Sequence, residues 1–402
     1  MTTLTFIRTN ARWLFAGGAM MFATSFGQTF FISIFARQIM DTYALSNGDW
    51  GSLYALGTTA SGLTMIWAGG FADRFRARAL ITVLLTIMAV FCLAMAYNAS
   101  VWLLPAVIFG LRLSGQGMLN HVAMVSMVRW YTVARGKAVA IAGLGFSIGE
   151  AFLPMIVVAS LAYISWQTIW VAAAALSILF LFLLRFLLIK ERTPQSISET
   201  TQAVGMGKRH WTRAEAIKHP LFWLLIPVAT TPSMFTTALF FQQVHLAEVK
   251  AWQHVQFVAL FPAFTTTAVV SGLIFGWAID KWGSIRILPV MLLPLAAGLL
   301  VFAHFGSLAF ALVALILMAI TQGGASTVSV AVWSEIYGTK HVGAIKALAV
   351  AFMVLGSAIG PVVTGRLIDQ GYSFPDQMPT YSLYILAVCA LTYFATYRFL
   401  RK

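Results

Sequence analysis

The sequence predicts an all-α membrane protein whose twelve transmembrane helices form two pseudo-symmetric six-helix bundles. Its 402 residues are 60% hydrophobic and only 9% charged, with a mean hydropathy of +0.85, whereas about a quarter of the residues in soluble domains carry a charge. A repeat is the second observation. The pattern Gly-x-x-x-Asp-basic occupies residues 69–74 and returns 207 residues later at 276–281. Two copies of one six-helix unit explain both observations.

The repeat extends across most of the chain. The same offset of 207 residues joins four further pairs, which are Gly117 with Gly324, Gly136 with Gly343, Gly149 with Gly356, and Pro154 with Pro361. We therefore predict an N-terminal bundle over residues 1–190, a cytoplasmic linker over 191–219 and a C-terminal bundle over 220–402.

Twelve apolar runs define the transmembrane spans. At a rise of about 1.5 Å per residue, each run is long enough to cross a hydrocarbon layer of about 30 Å. Inside lipid the backbone must satisfy its own hydrogen bonds, so the runs are predicted to be helices rather than strands. The predicted spans are 11–36, 50–72, 79–97, 101–127, 137–161, 167–189, 220–246, 253–279, 287–305, 307–332, 342–367 and 380–399.

The distribution of Lys and Arg predicts the orientation. With both termini in the cytoplasm, about 22 of the 26 basic residues lie on the cytoplasmic side, as the positive-inside rule requires. Arg37, Lys250 and Arg366 then face outward, and Arg112 lies within the fourth span. The first apolar run extends over more than 20 residues, so it is predicted to be a retained span rather than a leader. We expect a multi-pass protein of a bacterial-type inner membrane.

Composition and motifs argue against several classes of protein. A net charge of +14 suggests nucleic-acid binding in a soluble protein, but these basic residues lie in short loops, so no nucleic-acid partner is expected. Cys92 and Cys389 lie in apolar runs of opposite halves, and neither a metal nor a cofactor is expected. The sequence contains no nucleotide-binding Gly-x-x-x-x-Gly-Lys-(Ser/Thr) loop and no His-Glu-x-x-His motif, so we predict neither ATP-driven transport nor an enzyme. We expect a monomer.

Local signals predict two further features. Residues 193–207 are predicted to be a flexible linker, after which Thr212-x-x-Glu215 forms the capping box of a short helix. His219-Pro220 begins the seventh span, since proline is favoured at the first helical position. Two Gly-x-x-x-Gly pairs, at 145–149 and 356–360, predict close helix contacts because no Cβ separates the backbones.

Two motifs carry a family resemblance. The loops at 69–76 and 276–283, each between the second and third spans of its half, resemble the Gly-x-x-x-Asp-(Arg/Lys)-x-Gly signature loop of the major facilitator superfamily. The pattern Ile-x-x-x-Arg-x-x-Gly-x-Gly at 108–117 resembles the fourth-span arginine motif of that superfamily. The first loop departs from the family pattern, with Arg76 in place of Gly and Ala77 in place of Arg.

The resemblance implies roles for charged residues at the inner face. It places Asp73 and Asp280 at helix ends, and Arg74 and Lys281 in ion pairs that close the cytoplasmic side. Glu335, at the end of the tenth span, is the predicted partner of Lys281. The first half has no acidic residue at the matched place, so this gate is predicted to be lopsided. Solvated loop charges are the alternative interpretation.

Two charged residues are predicted inside the bilayer, Arg112 in the fourth span and Glu150 in the fifth. A centred arginine costs about 2.5 to 3.5 kcal/mol even on a translocon scale. Each residue lies about eleven residues from the outer end of its span, at a depth of roughly 16 Å, so the two side chains can pair. Three interpretations stay open: a permanent ion pair, an anion bound by Arg112 while Glu150 exchanges a proton, and two side chains that never meet.

A polar stripe accompanies the buried arginine. Arg112, Gln116 and Asn120 recur at i, i+4 and i+8, so they share one face of the fourth span, which a water-filled cavity would accommodate. Further candidate hydrogen-bonding groups are Gln28, Thr29, Thr321 and Gln322. A neighbouring helix could instead satisfy each of these.

A narrower resemblance concerns the substrate. The pattern Trp-Tyr-x-x-x-Arg-Gly-Lys-Ala at 130–138, with Ala-Gly at 142–143, is similar to the monocarboxylate and oxalate/formate porters. That resemblance implies a substrate-binding arginine in the eighth span, but residues 253–279 contain neither Lys nor Arg. If an anion is carried, Arg112 is the deeply buried cation that remains.

Together these features predict a secondary transporter of a small molecule that works by alternating access. One interpretation is a proton-coupled symporter of an organic anion such as a monocarboxylate, with Arg112 exposed to the cavity. The alternative is a proton-coupled exporter of hydrophobic, drug-like compounds, which needs Glu150 exposed and Arg112 occupied elsewhere. A transporter-like receptor and a membrane-embedded enzyme are further alternatives.

Overall fold

The computed structural model describes residues 3–131, 134–190 and 204–400. Within these ranges the chain is helical, without strands. The principal helices are α1 (Thr3–Ala23), α2 (Asn47–Ala68), α3 (Ala77–Tyr97), α4 (Val101–Trp130), α5 (Arg135–Ser160), α6 (Trp166–Leu187), α7 (Pro220–Phe241), α8 (Phe261–Trp282), α9 (Leu293–His304), α10 (Leu308–Tyr337), α11 (Val342–Asp369) and α12 (Phe374–Leu400).

Most of these helices are long and apolar enough to span a membrane. Nine pass that test within the described residues, and the bent pair Thr5–Gly27 and Thr29–Tyr43 makes ten. α2 has 22 residues but is rich in Gly, Ser and Thr, which keep its hydropathy low. α9 has only 12 residues, so the predicted span 287–305 is wrong at its start. Residues 288–292 form turns, and Pro289 there lacks the backbone N–H that a continuous helix would use.

The helices group into two compact units. Unit 1 contains residues 1–45 and 53–200, and unit 2 contains residues 46–52 and 201–402. The core of unit 1 is apolar and draws buried side chains from several of its helices, among them Met20, Leu85, Met127 and Leu184. These buried side chains pack the helices of unit 1 against one another.

Helix α1 packs closely against α5 in unit 1. A Cβ added at Gly145 would lie 1.9 Å from the carbonyl oxygen of Gly18, and one added at Gly149 would lie 2.1 Å from Ser25 Oγ. Neither position tolerates a side chain at this distance. The close contact predicted from the first Gly-x-x-x-Gly pair is therefore confirmed.

Unit 2 repeats this packing with α7 and α11. A Cβ at Gly360 would lie 2.6 Å from the carbonyl oxygen of Met234, and one at Gly356 would lie 3.3 Å from that of Thr230. The outer pairs also correspond, since α3 packs on α6 and α9 packs on α12. These two kinds of helix pair thus recur at matched places in the two halves.

The second half of the linker folds as predicted. Thr212 Oγ1 accepts a hydrogen bond from the Glu215 backbone N–H at 3.3 Å, and Glu215 Oε2 accepts one from the Thr212 backbone N–H at 2.7 Å. This capping box lowers the pKa of Glu215, chiefly through the backbone hydrogen bond from Thr212. His219 caps α7 by accepting from the Leu221 N–H. The predicted flexible stretch 193–207 lies largely outside the described residues.

We expect Gly145→Ala to destabilise the protein. The added methyl group would force α1 and α5 apart, and such overpacking costs about 1–3 kcal/mol. Gly143→Ala is the matched control, because no atom lies within 4 Å of its Cβ position and alanine favours the helix by about 1 kcal/mol over glycine. Thermal unfolding of the two purified variants in detergent measures the difference. Equal unfolding temperatures would contradict the packing described here.

Candidate functional site

The first span is broken at Gln28. α1 ends at Ala23, a 3-10 turn occupies Thr24–Gly27, and Gln28 has an extended backbone (φ −89°, ψ 152°). The chain resumes its helix at Thr29, and the axis bends by 48° at the break. The continuous helix predicted over 11–36 is therefore wrong at this point.

Contact with α4 accounts for the position of the break. A Cβ at Gly27 would lie 2.1 Å from the carbonyl oxygen of Leu111, and a Cβ at Gly115 would lie 2.8 Å from Gly27 Cα. Glycine at both positions allows the two backbones to touch. Gly115 belongs to the fourth-span arginine motif, so the motif glycine has a direct structural role.

Helix α4 is itself irregular beside this contact. It is α-helical over Leu104–Arg112, forms a π-helix over Leu113–Leu119, and returns to α-helix over Asn120–Trp130. π-Helical turns are rare and occur frequently at functional sites. The hydrophobic pattern gives no sign of this segment, because the sequence remains compatible with an ordinary helix.

Arg112 lies against the broken segment and is only 2% exposed. Its Nη1 donates to Thr29 Oγ1 at 3.1 Å and to the Gly27 carbonyl oxygen at 3.4 Å. The guanidinium carbon lies 5.5 Å from the centre of the Tyr54 ring, and the Tyr54 hydroxyl is 2.7 Å from Thr29 Oγ1. A cation beside carbonyls at the end of a helix is electrostatically favourable.

Glu150 lies on α5, the helix that packs against the first span. It is 9% exposed and follows Gly149, which is the residue in contact with Ser25. The recorded contacts of Arg112 are with Gly27, Thr29 and Tyr54. The three interpretations of Arg112 and Glu150 stay predictions.

Several polar groups around the break have unused hydrogen-bonding capacity. Ser25 Oγ and Arg112 Nε are buried and have no hydrogen-bond partner within the described chain. No hydrogen bond is recorded there for the side-chain amides of Gln28, Gln116 and Asn120 either. Gln28 is buried, and the other two are half-buried. A cation and polar groups with free capacity can hold a small anionic or polar ligand.

The second half has no corresponding charges. In the 207-residue repeat, Ala319 is the position equivalent to Arg112, and Ser357 is the position equivalent to Glu150. Thr236, which matches Thr29, donates to Gln322 Oε1 at 3.2 Å between α7 and α10. Gln322 thus has a neighbouring-helix partner, and the ionic groups belong to unit 1.

Thr321 has a structural role rather than the ligand contact considered from the sequence. Its hydroxyl donates to the Met291 carbonyl oxygen at 2.9 Å and accepts from the Leu295 N–H at 3.1 Å. Met291 lies in the turn before α9, and Leu295 lies in the first turn of α9. An unpaired backbone group is costly inside a membrane. Thr321 supplies the partners that the interrupted helix lacks.

The inner-face charges differ from the prediction in one respect. Lys281 Nζ lies 5.2 Å and 5.3 Å from the ring centres of Trp277 and Trp282, and it forms no ion pair with Glu335. Glu335 instead accepts from the Ser284 backbone N–H at 2.9 Å and from the Ser284 hydroxyl. The predicted Lys281–Glu335 pair is wrong, because the turn at Gly283 presents Ser284 to the carboxylate.

The other inner-face candidates are in less constrained positions. Asp280 and Arg74 are exposed, and the side chain of Asp73 lies outside the described part of the structure. The backbone at Gly283 has φ +80°, a conformation that favours glycine. Arg76 occupies the matched position with φ −67°, which explains why the first loop can depart from the family pattern there.

Comparison with known proteins identifies the family. A family model described as Major Facilitator Superfamily matches residues 17–312 and 256–402. The chain therefore belongs to the major facilitator superfamily. It is a membrane transporter of the secondary class rather than an enzyme. The narrower resemblance to monocarboxylate and oxalate/formate porters stays a prediction.

Solved structures that match the chain share its fold. Two are structures of a bacterial homolog to the human lysosomal transporter Spinster, one inward-facing and occupied and the other inward-facing and unoccupied. The occupied structure has a TM-score of 0.73 at 16% identity, and the match covers 96% of this chain and 97% of that one. The unoccupied structure has a TM-score of 0.70 at 16% identity, and the match covers 98% of each chain. A mutant of the nucleoside transporter NupG has a TM-score of 0.70 at 14% identity, over 96% of this chain and 100% of its own.

At these identities the likeness shows the fold alone. A search of curated protein sequences finds no significant match.

We expect Thr321→Val to lower stability. The substitution keeps the side-chain shape but leaves the Met291 carbonyl and the Leu295 N–H without their partner, at a cost of about 1–3 kcal/mol. The matched control is Thr266→Val on α8, since Thr266 is exposed and no hydrogen bond is recorded for it within the described chain. Apparent unfolding temperatures in detergent provide the measurement. A loss of the same size in both variants would refute the bridging role.

Proposed function

We propose that the protein is a proton-coupled transporter of a small organic anion. Arg112 binds the anion beside the break in the first span, and Glu150 carries the proton. Both termini lie in the cytoplasm, as the distribution of basic residues predicts. The observation that carries the proposal is a buried arginine whose Nε has no hydrogen-bond partner within the described chain, surrounded by polar groups that have unused hydrogen-bonding capacity.

The burial and contacts of Arg112 support anion binding. Arg112 is the one cationic side chain that is buried among the side chains that the structure describes. Removing a charge from water is costly unless it is paired and hydrogen-bonded, and only Nη1 has recorded hydrogen bonds here. A carboxylate would supply the missing charge and could engage the remaining guanidinium donors in a bidentate manner.

The neighbouring groups favour a small anion. Ser25 Oγ and the amide of Gln28 can donate to its second oxygen, and both belong to the broken segment that also contacts Arg112. The backbones approach so closely at Gly27 and Gly115 that they leave no room for a side chain between them. The pattern at 130–138, similar to that of monocarboxylate porters, agrees with this substrate class.

Electrostatics favour coupling to a proton. Moving one elementary charge across a membrane potential of 100 mV changes the free energy by about 2.3 kcal/mol, so a lone anion is opposed by an inside-negative potential. An anion that travels with one proton is neutral. Glu150 supports this role because it is a buried carboxyl group on the helix that packs against the first span. Such a group can take up and release a proton while Arg112 keeps its charge.

We expect Arg112→Gln to abolish anion uptake. Loss of a buried, charge-assisted contact costs about 2–5 kcal/mol, which corresponds to a fall of roughly 30-fold to 1,000-fold or more in kcat/KM. Arg112→Lys should recover only part of the activity, because an ammonium group cannot reproduce the planar fork. Uptake of labelled mono- and dicarboxylates by proteoliposomes measures both effects.

The control for charge loss is Arg398→Gln, since Arg398 is an exposed arginine on α12. It should leave uptake unchanged, and gel filtration should show that each variant is folded. Undiminished carboxylate uptake by Arg112→Gln would rule out the anion site. Export of hydrophobic compounds that depends on Glu150 but not on Arg112 would support the exporter instead.

We expect Glu150→Gln to uncouple transport from the proton gradient. A glutamine cannot release a proton, so accumulation driven by a pH difference should be lost while exchange of labelled for unlabelled substrate continues. Asp41→Asn is the matched control, because Asp41 is an exposed carboxylate 3.9 Å from Arg37. Full pH-driven accumulation by Glu150→Gln would end the coupling hypothesis.

A further inference from the structure

A large basic cavity lies at the end of unit 1 where α3 begins and where α4 and α6 end. Its volume is about 1040 Å³. No carboxylate occurs among the described residues that line it. The cationic side chains in the lining are those of Arg74, Arg76, Arg78, Arg129, Arg185 and Lys190. This concentration of positive charge plays no part in the transport mechanism proposed above.

The local backbone adds to the positive potential of the cavity. Arg76 is the N-cap residue of α3, its side chain makes no capping hydrogen bond, and the first turn of the helix contains no acidic residue. A helix N-terminus carries a partial positive charge, so basic residues there are unfavourable without a nearby anion. Arg78 lies in that same first turn. Among the residues whose side chains the structure describes, the start of α3 thus lacks the negative charge that helix starts favour.

Few of these cations have protein partners. Arg129 Nη1 donates to the Ala72 carbonyl oxygen at 2.7 Å. Within the described chain, no hydrogen bond or ion pair is recorded for the side chains of Arg76, Arg78 and Arg185. Guanidinium groups bind phosphate oxygens well, because their fixed fork can make two parallel hydrogen bonds.

A buried hydroxyl in the same cavity provides an independent indication of a ligand. Ser126 of α4 lines the cavity and is only 5% exposed, yet no hydrogen bond is recorded for its hydroxyl within the described chain. The Ser126 hydroxyl is therefore available to donate a hydrogen bond to a ligand in the cavity. A phosphate oxygen in the cavity would accept a hydrogen bond from it.

Apolar side chains lie beside the basic ones. Phe75 and Ile189 line the cavity, and each is 55% exposed. Leu80 and Leu188 contribute to the same wall. Acyl chains would cover these side chains, whereas inorganic phosphate would leave them exposed. Basic pockets between transmembrane helices are known to hold anionic lipid head groups.

We propose that this cavity binds the phosphate-bearing head group of an anionic phospholipid. Arg76, Arg78 and Arg185 hold the phosphate, and the acyl chains pack against Phe75 and Ile189. Arg76 stands where the family pattern has glycine, so the departure in the first loop contributes directly to this site. The proposal is independent of the identity of the transported substrate.

The test uses the full chain, purified in detergent and freed of lipid. Dioleoylphosphatidylglycerol, dioleoylphosphatidylcholine and sodium phosphate are added separately, and thermal unfolding and native mass spectrometry are measured. We expect the phosphatidylglycerol alone to remain bound and to raise the unfolding temperature by about 3 °C or more, because a ligand of the folded state stabilises it. The triple variant R76Q/R78Q/R185Q should bind this lipid roughly tenfold or more weakly.

The matched control is K218Q/R286Q/K340Q, which removes the same charge from exposed positions of unit 2 and should retain binding. The charge-preserving variant R76K/R78K/R185K should bind with intermediate affinity, and it tests the site even if the glutamine variant is unstable. The site would be overturned if both lipids raised the unfolding temperature equally. It would also be overturned if R76Q/R78Q/R185Q and K218Q/R286Q/K340Q lost equal affinity for phosphatidylglycerol. Stabilisation by phosphate alone that equals the effect of phosphatidylglycerol would overturn its assignment to lipid.

Discussion

The contact between Gly27 and α4 is the constraint on which the candidate site depends. Two glycines, at 27 and 115, let the backbones of the first and fourth spans touch, and the first span breaks at this contact. The break brings the Gly27 carbonyl and the Thr29 hydroxyl within reach of Arg112. A buried cation needs acceptors, and backbone groups released from a helix inside a membrane need partners. The broken helix and the arginine therefore stabilise each other.

The second interrupted helix follows the same rule with a different outcome. At α9 the hydroxyl of Thr321 serves as donor to one backbone group and as acceptor for another, so its recorded hydrogen bonds are all structural. At the first span, Arg112 keeps donors that no described protein group uses. This difference separates a polar residue that repairs a helix from one that can also hold a ligand. In the sequence, by contrast, both residues look alike, because each is a polar position within an apolar run.

The two halves share their packing but not their chemistry. α1 with α5 and α7 with α11 meet through matched glycines, and Thr29 and Thr236 occupy equivalent positions. The ionic groups Arg112 and Glu150 belong to the first half. The equivalent positions of the second half hold Ala319 and Ser357, which carry no charge. The two copies thus share the contacts that pack a helix bundle. The charged groups, which are costly in a membrane, occur in one copy.

The sequence by itself determined the helical membrane class, the 207-residue repeat, most of the spans, the close approach at Gly145 and the capping box at Thr212. These features depend on hydropathy, on spacing along one helix, or on hydrogen bonds between residues three apart. The break at Gln28, the π-helix after Arg112, the contacts of Arg112 with Gly27 and Thr29, and the hydrogen bonds from Ser284 to Glu335 emerged only from the tertiary structure. Each of them depends on which backbone or side chain from a distant part of the chain comes within a few ångströms, and no local pattern encodes that distance.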